Sequence, residues 1–321
     1  MGDINIDCVW PVDHIPTTGE EAIVERVAVG LGGAVLNSAI MLDKLGAKTI
    51  LLGCVGDDLW GEYFLKQVAG TAIDLSRLQI VPDHGTGMDF IIVTPDGERT
   101  MFGYRGANAQ LLPDSIDKGI FNEGVMLHLS GYSLLEGPQS DAVRKAVRYA
   151  KAELAAISMD TAFEPVLRNQ TSFKEILPAL AICISGEKEV NALFGTSTYE
   201  TAARALLDAG VKIAVIKMGA QGCYVASAGE AYKIPAFPVD PVDTTGAGDA
   251  FTAGFIFGAA NGLDTLSCGQ LGSALGAMAA VVEGAGLAMP DRESVRRFLN
   301  TIEPLEVENF NSSLEIIATL L

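Results

Sequence analysis

Asp243-Thr244-Thr245-Gly246-Ala247-Gly248-Asp249-Ala250-Phe251 is a glycine-rich turn that runs straight into an apolar helical stretch, FTAGFIFGAA. The first turn of a helix has unpaired N–H groups and a positive dipole end, so it attracts anions. Gly246, Ala247 and Gly248 carry almost no side chain, which lets a phosphate approach the backbone closely. Asp249 falls at the helix start beside that anion site, where the dipole is expected to keep its carboxylate ionised at neutral pH. A carboxylate next to a phosphate cradle suits a general base that takes a proton from an attacking hydroxyl. The other reading is a tight turn with Asp249 as a helix cap. The stretch is not a Walker A loop, because no Gly-Lys-Ser/Thr follows, and Phe251 stands where a dinucleotide fingerprint has its third glycine.

Upstream, Gly30-Leu31-Gly32-Gly33-Ala34-Val35-Leu36-Asn37 follows an extended segment and opens a helix expected from Ala34 to Leu45, ending at Gly46. Its glycines let the backbone approach a small ligand, and Asn37 offers a donor and an acceptor. The turn also reads as a dinucleotide site with Asp57 as the distant ribose acid, although Val35 occupies the place of the last glycine of GxGxxG. Earlier still, Gly2-Asp3-Ile4-Asn5-Ile6-Asp7 sets Asn5 and Asp7 in alternation with apolar residues, near the end of a first strand with almost no lead-in. Ligands of doubly wound sheets sit beyond the carboxyl ends of strands. Asp7 is therefore a candidate to accept two hydroxyl hydrogen bonds of a polyol; alternatively it caps the following loop.

Between these stretches short β-branched runs alternate with helical ones. Strands are expected at Thr49–Val55, Val125–Leu129, Ile157–Met159, Leu180–Ile184 and Ile213–Lys217, with helices over Ser140–Leu154 and Tyr199–Ala209. Such alternation predicts a parallel sheet covered on both faces. Glu20–Gly30 alternates apolar and polar residues as a half-exposed strand would, and Met88–Phe102 forms two such runs around Pro95-Asp96-Gly97, a hairpin signal. These segments are assigned to a small accessory sheet.

Composition narrows the function classes. Hydrophobic residues make up 49% of the 321 residues, enough to bury a sizeable core. Lysine and arginine number 22 against 40 acidic residues, a net charge of −18, which argues against a nucleic-acid partner and against docking on an anionic membrane. Thr265–Val282 is uncharged and about long enough for a membrane span, but its glycines, serines and Gln270 predict a buried helix packed through small residues. The five cysteines show no CxxC spacing, which points to free thiols in a reducing cytoplasm. The acidic N-terminus, MGDINIDCVW, does not read as a signal peptide.

Taken together and in order, these stretches resemble the PfkB, or ribokinase-like, carbohydrate kinase family. Gly-Gly-x-x-x-Asn at 32–37 and DTTGAGDAF at 243–251 look like its two signatures. Gly2–Asp7 resembles its first strand, Val55-Gly56-Asp57-Asp58 with Gly61 its VGDDxxG, and Pro95-Asp96-Gly97-Glu98-Arg99 its lid hairpin. Lys217-Met218-Gly219 with Gly222 is similar to the KxGxxG that ends a late strand, and Gly284-Ala285 with Pro290 to the closing pattern. The resemblance spans roughly residues 2 to 299.

The resemblance implies a ribokinase-like α/β fold, a mostly parallel central sheet with helices on both faces plus a small β lid. The kinase domain would cover 1–300, with a discontinuous lid from about 11–31 and 86–104 and a C-terminal extension at 301–321. Asp249 would be the base, and the amides of Gly246, Ala247 and Gly248 the anion hole. Asn5, Asp7, Gly32, Gly33 and Asn37 would hold the sugar, with Arg105 and Asn108 touching substrate from beyond the lid hairpin. Lys217, Gly219, Gly222 and Thr245 would serve ATP. Glu189 matches the glutamate of the family's NxxE, which helps organise Mg2+, but Gly186 stands in the asparagine's place. Asp243 and Thr245 match positions that help bind a monovalent cation such as K+, with Ala285 nearby.

Plainer readings stand beside these: Asp243 as a turn-forming Asx residue, Lys217 as a strand-end lysine reaching solvent, and Arg105 in a surface salt bridge rather than against a sugar-acid carboxylate. The expected activity is ATP-dependent phosphorylation of a hydroxyl on a sugar or sugar-like molecule, in a cytoplasmic homodimer joined through the lids, with no nucleic-acid or membrane partner. The alternatives are a nucleoside or sugar-acid kinase of the same family, a non-catalytic sugar-binding homologue, and an NAD-dependent oxidoreductase.

Overall fold

The computed structural model of the chain describes residues 1–95, 99–301 and 310–321. In chain order it forms β1 (Asn5–Pro11), β2 (Ala28–Gly32), α1 (Ala34–Lys44), β3 (Gly53–Gly56), α2 (Leu59–Val68), β4 (Leu78–Val81), β5 (Gly87–Val93), β6 (Arg99–Tyr104) and β7 (Met126–Ser130). There follow α3 (Gln139–Ala152), β8 (Ala156–Asp160), α4 (Phe163–Arg168), α5 (Gln170–Ile176), β9 (Ile182–Gly186), α6 (Glu187–Phe194) and α7 (Tyr199–Asp208). The last part holds β10 (Ile213–Lys217), β11 (Cys223–Ser227), β12 (Glu230–Ile234), α8 (Ala247–Ala260), α9 (Thr265–Ala280), α10 (Arg292–Thr301) and α11 (Phe310–Leu320).

The main sheet runs β12-β11-β10-β9-β8-β7. β7 to β10 are parallel, and β11 and β12 close one side as an antiparallel hairpin. Past β7 the backbone continues the layer: Ser130 N–H donates to the Met1 carbonyl, Gly2 N–H to that of Leu52, and β3 pairs in parallel with β4. One face is covered by the amphipathic α3 and by α7, whose Ala142, Val143, Ala146, Ala202 and Leu206 are buried. The other face is covered by α8 and α9, buried nearly all round. α9 is the uncharged stretch of the sequence. Among the described residues no helix is long and apolar enough to cross a membrane. α11, in the tail set apart by sequence, folds against the same core and buries Ile317 completely.

A second sheet, ordered β2-β1-β5-β6, forms the lid. Its register divides the side chains cleanly. Asn5, Asp7, Asp89 and Arg99 share one face, while Cys8, Trp10, Phe90, Ile92, Phe102 and Val29 share the other. The turn of its hairpin, Asp96–Glu98, lies outside the described residues.

Three expectations are corrected. The strand expected over Thr49–Val55 begins only at Gly53, because its neighbour turns at Leu75–Leu78 and leaves Leu51 a single bond to Asp74. Of Glu20–Gly30, only the residues from Ala28 are strand. The ladder with β1 stops at Val9 opposite Ala28, close to Pro11, which has no N–H to offer. Asn5 and Asp7 lie at the start of the first strand rather than near its end, since β1 runs on into the lid.

Candidate active site

The N-terminus of α8 opens beneath the lid. Gly246 caps it in the left-handed region with φ 73°, where a Cβ would strike Met289 and Ala285. The closing segment around Ala285 thus seats the turn. Helix N-termini offer unpaired amides to anions; here Ala247 N–H is already given to the Thr244 carbonyl at 3.2 Å, so of the three amides expected to form an anion hole those of Gly246 and Gly248 remain. Asp249 sits in this first turn. Asn37 Nδ2, from α1, donates to its Oδ2 at 2.7 Å, and Ser38 Oγ donates to its backbone carbonyl.

Burial, only partly offset by the Asn37 hydrogen bond, pushes the Asp249 carboxyl up to about 7. Against the expectation of a fully ionised group, burial places the carboxyl near neutrality, a range in which a general base can work.

Asp7 lies across the cleft, buried in the lid sheet. Burial, the Asp89 and Asp249 carboxylates and, in opposition, the Arg99 guanidinium set its carboxyl at about 7. Gly32 is needed at its place, since a Cβ there would lie 1.8 Å from Asp7 Oδ1. At Gly33, with φ 93°, a Cβ would lie 2.5 Å from the Asp3 carbonyl. Asp7 Oδ1 and Asn37 Oδ1 are buried and find no hydrogen-bond partner among the described residues. Asn5 Nδ2 donates to Asp89 Oδ2 at 2.6 Å.

Several expected contacts fall elsewhere. Asn108 is fully buried and spends its amide on the Ile4 backbone and on Asn5 Oδ1, so it positions Asn5 instead of facing the cleft. Arg105 is bidentate to Asp3, at 3.1 and 2.9 Å, and also donates to Gln139 and Glu136; it is committed to the fold rather than to a sugar-acid carboxylate. Arg105→Met is expected to cost about 3 kcal/mol of stability by stranding Asp3, and to leave the ratio of rates on a sugar acid and its neutral analogue unchanged. Calorimetric unfolding and paired initial rates check both parts.

Lys217 does not reach out to solvent as a strand-end lysine would: it is paired with both oxygens of Asp160. Gly222 closes the β10–β11 turn with φ 91° against the Ile234 carbonyl, whereas a Cβ on Gly219 would meet only open space. Glu189, in the first turn of α6, folds back over Gly186, where a Cβ would meet its Oε2 at 2.4 Å. Burial raises its carboxyl. Asp243 accepts from the Thr245 amide and hydroxyl on one oxygen and from Gly284 N–H on the other. Arg99 lies 4.0 Å away as well, and these contacts make Asp243 an Asx tie of the loop.

Arg99 was quoted in the sequence only as part of a hairpin. Its guanidinium reaches from β6 to the hydroxyls of Thr245 and Thr244, at 2.6 and 2.8 Å, and so ties the second sheet to the loop before α8. Asp89 and Asp160 were not singled out either. Asp89 carried a signal, a polar residue at the alternation position that pairs with Asp7. Asp160 stands at the carboxyl end of a parallel strand, where ligands gather. The Gly30–Asn37 turn is not a dinucleotide site: β2 is an antiparallel lid strand and not the first strand of a parallel βαβ unit.

Residues 1–292 match the sequence family described as pfkB family carbohydrate kinase. The chain is 30% identical over 300 residues to an ATP-dependent ribose-1-phosphate kinase of Halopiger xanaduensis, covering 93% of this chain and 96% of that protein. It is 31% identical over 287 residues to a 5-dehydro-2-deoxygluconokinase of Clostridium perfringens, covering 84% and 83%. Among solved structures, a ribokinase from Thermotoga maritima superposes with a TM-score of 0.81 at 29% identity, covering 94% of this chain and 98% of that one. An E. coli structure assigned as a ribokinase II, in complex with ATP and Mg2+, superposes with a TM-score of 0.83 at 27% identity and the same coverage.

Proposed function

The chain belongs to the pfkB family of carbohydrate kinases and phosphorylates a sugar hydroxyl with ATP; on that premise we propose how the residues of its cleft divide the work. The carrying observation is the pair of buried acceptors with no partner among the described residues, Asp7 Oδ1 and Asn37 Oδ1, the second on the side chain that donates to Asp249. Buried polar atoms are normally satisfied, so two acceptors left open in a cleft call for hydroxyl donors. A polyol supplies several. Asp7 and Asn37 hold the sugar, Asn5 and Asp89 support them, and Gly32 and Gly33 bring the backbone close.

Asp249 takes the proton of the attacking hydroxyl, and the amides of Gly246 and Gly248 receive the phosphoryl oxygens. Thr245 helps shape that loop, while Gly219 leaves the β10 end open to the nucleotide. Arg99 closes the lid, which excludes water as a competing acceptor.

Mg2+ binds proteins through one or two carboxylates plus substrate phosphates. Glu189 is the acid available for that mode: it stands in the first turn of α6, over Gly186 at the end of β9, within electrostatic reach of Lys217 and Asp160. Mg2+ held near Glu189 would offset triphosphate charge. The five buried free cysteines support a cytoplasmic setting.

The reading is tested with a panel of sugars, sugar phosphates, sugar acids and nucleosides, measured by thermal shift and coupled ADP release with Mg-ATP. At least one acceptor is expected both to stabilise the protein and to drive ADP release. Stabilisation by an acceptor with no ADP release would favour a sugar-binding homologue.

The outer lid face supports a two-fold homodimer. Trp10, Val29, Phe90 and Phe102 are exposed there, beside an apolar hollow of about 300 Å³ lined by Trp10, Pro16, Phe90 and Ile92. Light scattering at micromolar concentration is expected to give the dimer mass, and Phe90→Asp with Phe102→Glu the monomer mass. A wild-type monomer, or a dimer indifferent to both changes, removes lid-mediated assembly.

A further inference from the structure

Three neighbouring parallel strands end under the anion hole: β8 at Asp160, β9 at Gly186 and β10 at Lys217. The register pairs Asp160 with Ile184 and Lys217 with Gly186, so all three ends look to one side of the sheet, toward α8. β9 lies between the other two. Gly186 has no side chain, and Lys217 crosses above it to reach Asp160, with Nζ donating to the two carboxylate oxygens at 2.9 and 2.8 Å. From α8, Thr252 Oγ1 donates to Asp160 Oδ2 at 2.6 Å, which fixes the carboxylate from the other side.

The ammonium has three protons. Asp160 takes two, and Nζ lies 3.5 Å from the place a Cβ on Gly248 would occupy. The Lys217 side chain keeps 24% of its surface exposed against 9% for Asp160, so the open side of the pair is the lysine's. Stability alone does not account for such a pair, because a buried ion pair gains little over apolar packing. Phosphoryl transfer does. It brings anionic oxygens next to Asp249 and Asp160, and the charge on Lys217 lies between them.

We propose that Lys217 is a catalytic residue that contacts the transferred phosphoryl group beside the Gly248 amide, and that Asp160 and Thr252 are positioning residues acting through it. In the step, the bond from the sugar oxygen to the γ-phosphorus forms. The bond from that phosphorus to the β–γ bridging oxygen breaks, and its electron pair leaves with ADP. The hydroxyl proton passes to Asp249, and Lys217 keeps its own protons throughout. The assignment rests on phosphoryl transfer at Gly248, so nucleotide binding is measured beside turnover. A wild-type enzyme that releases no ADP with any acceptor would count against the transfer reading alone, since the binding comparison needs no turnover.

The experiment compares Lys217→Met, Lys217→Arg, Asp160→Asn, Thr252→Val and the Lys217→Met/Asp160→Asn pair by steady-state kinetics and by calorimetric titration with ATP and ADP. Lys217→Met is expected to lower kcat roughly tenfold to a hundredfold, to leave the sugar KM in place, and to weaken ATP more than ADP. Lys217→Arg should restore part of kcat. Asp160→Asn should lower kcat too, while adding almost nothing to Lys217→Met in the double variant. If Asp160→Asn does not fold, Thr252→Val makes the same comparison through one hydrogen bond, lowering kcat alone but not on top of Lys217→Met. The proposal is overturned if Lys217→Met weakens ATP and ADP equally, or turns over within about twofold of wild type. It is equally overturned if the Asp160 or Thr252 effect multiplies with that of Lys217.

Discussion

Asp249→Asn keeps the fold and the affinity for both substrates and lowers kcat by on the order of a thousandfold. The amide can still accept the hydrogen bond that Asn37 gives to Oδ2, so the first turn of α8 loses none of its support. It loses only the ability to take a proton. The wild-type pH profile carries the same signature. With the carboxyl pushed up to about 7 by burial, kcat rises as pH climbs through neutrality and levels off above it. The residual activity of Asp249→Asn lacks that inflection. Stability moves the other way. Folded Asp7 and Asp249 hold protons up to about 7 that the unfolded chain has already released. Between the ordinary carboxylate range and pH 7 the folded state thus binds more protons, and these groups make stability fall as pH rises. The ligand-free protein should melt higher at pH 5 than at pH 8, by less in Asp249→Asn. Stopped assays across pH and calorimetric melts check the two halves, and turnover of Asp249→Asn near wild type would remove the base assignment.

Asp7→Ala is the second large effect. A charged hydrogen bond lost to a buried partner costs about 1.5–3 kcal/mol, and Asp7 is placed to serve more than one hydroxyl. Sugar affinity should fall on the order of a hundredfold while ATP affinity holds. The variant also relieves the crowding of Asp7 with Asp89 and Asp249. It should therefore melt no lower than wild type at pH 8, which separates a binding loss from a folding loss. Titrations that show ATP weakened and sugar unchanged would move Asp7 out of the acceptor site.

What the sequence disclosed follows how local the cause is. The Gly246–Asp249 turn announces itself because small residues, a left-handed cap and an apolar helix sit side by side in the chain. The face alternation of the lid was legible for Phe90 and Phe102 for the same reason. Arg105 and Lys217 were not legible. Each could face solvent or substrate until its carboxylate is known, and those partners stand 102 and 57 residues away. Asn108 was misjudged likewise, since its acceptor, the Asn5 side chain, arrives from 103 residues earlier. The pKa of Asp249 depends on enclosure by several elements, and no local pattern encodes enclosure.

The small residues at the α8–α9 contact have a bearing on mutational tolerance. A Cβ on Gly254 would meet Leu275 at 2.7 Å, one on Gly272 the Phe251 carbonyl at 2.9 Å, and one on Gly276 the Ala247 carbonyl at 3.2 Å. The last two carbonyls belong to the opening turns of the helix that presents Asp249. An added methyl on α9 would therefore lever the anion hole itself, even where no ligand is near. In a deep mutational scan scored on activity, these inconspicuous glycines should tolerate as little change as the residues that touch substrate, while the exposed faces of α3 and α10 drift freely.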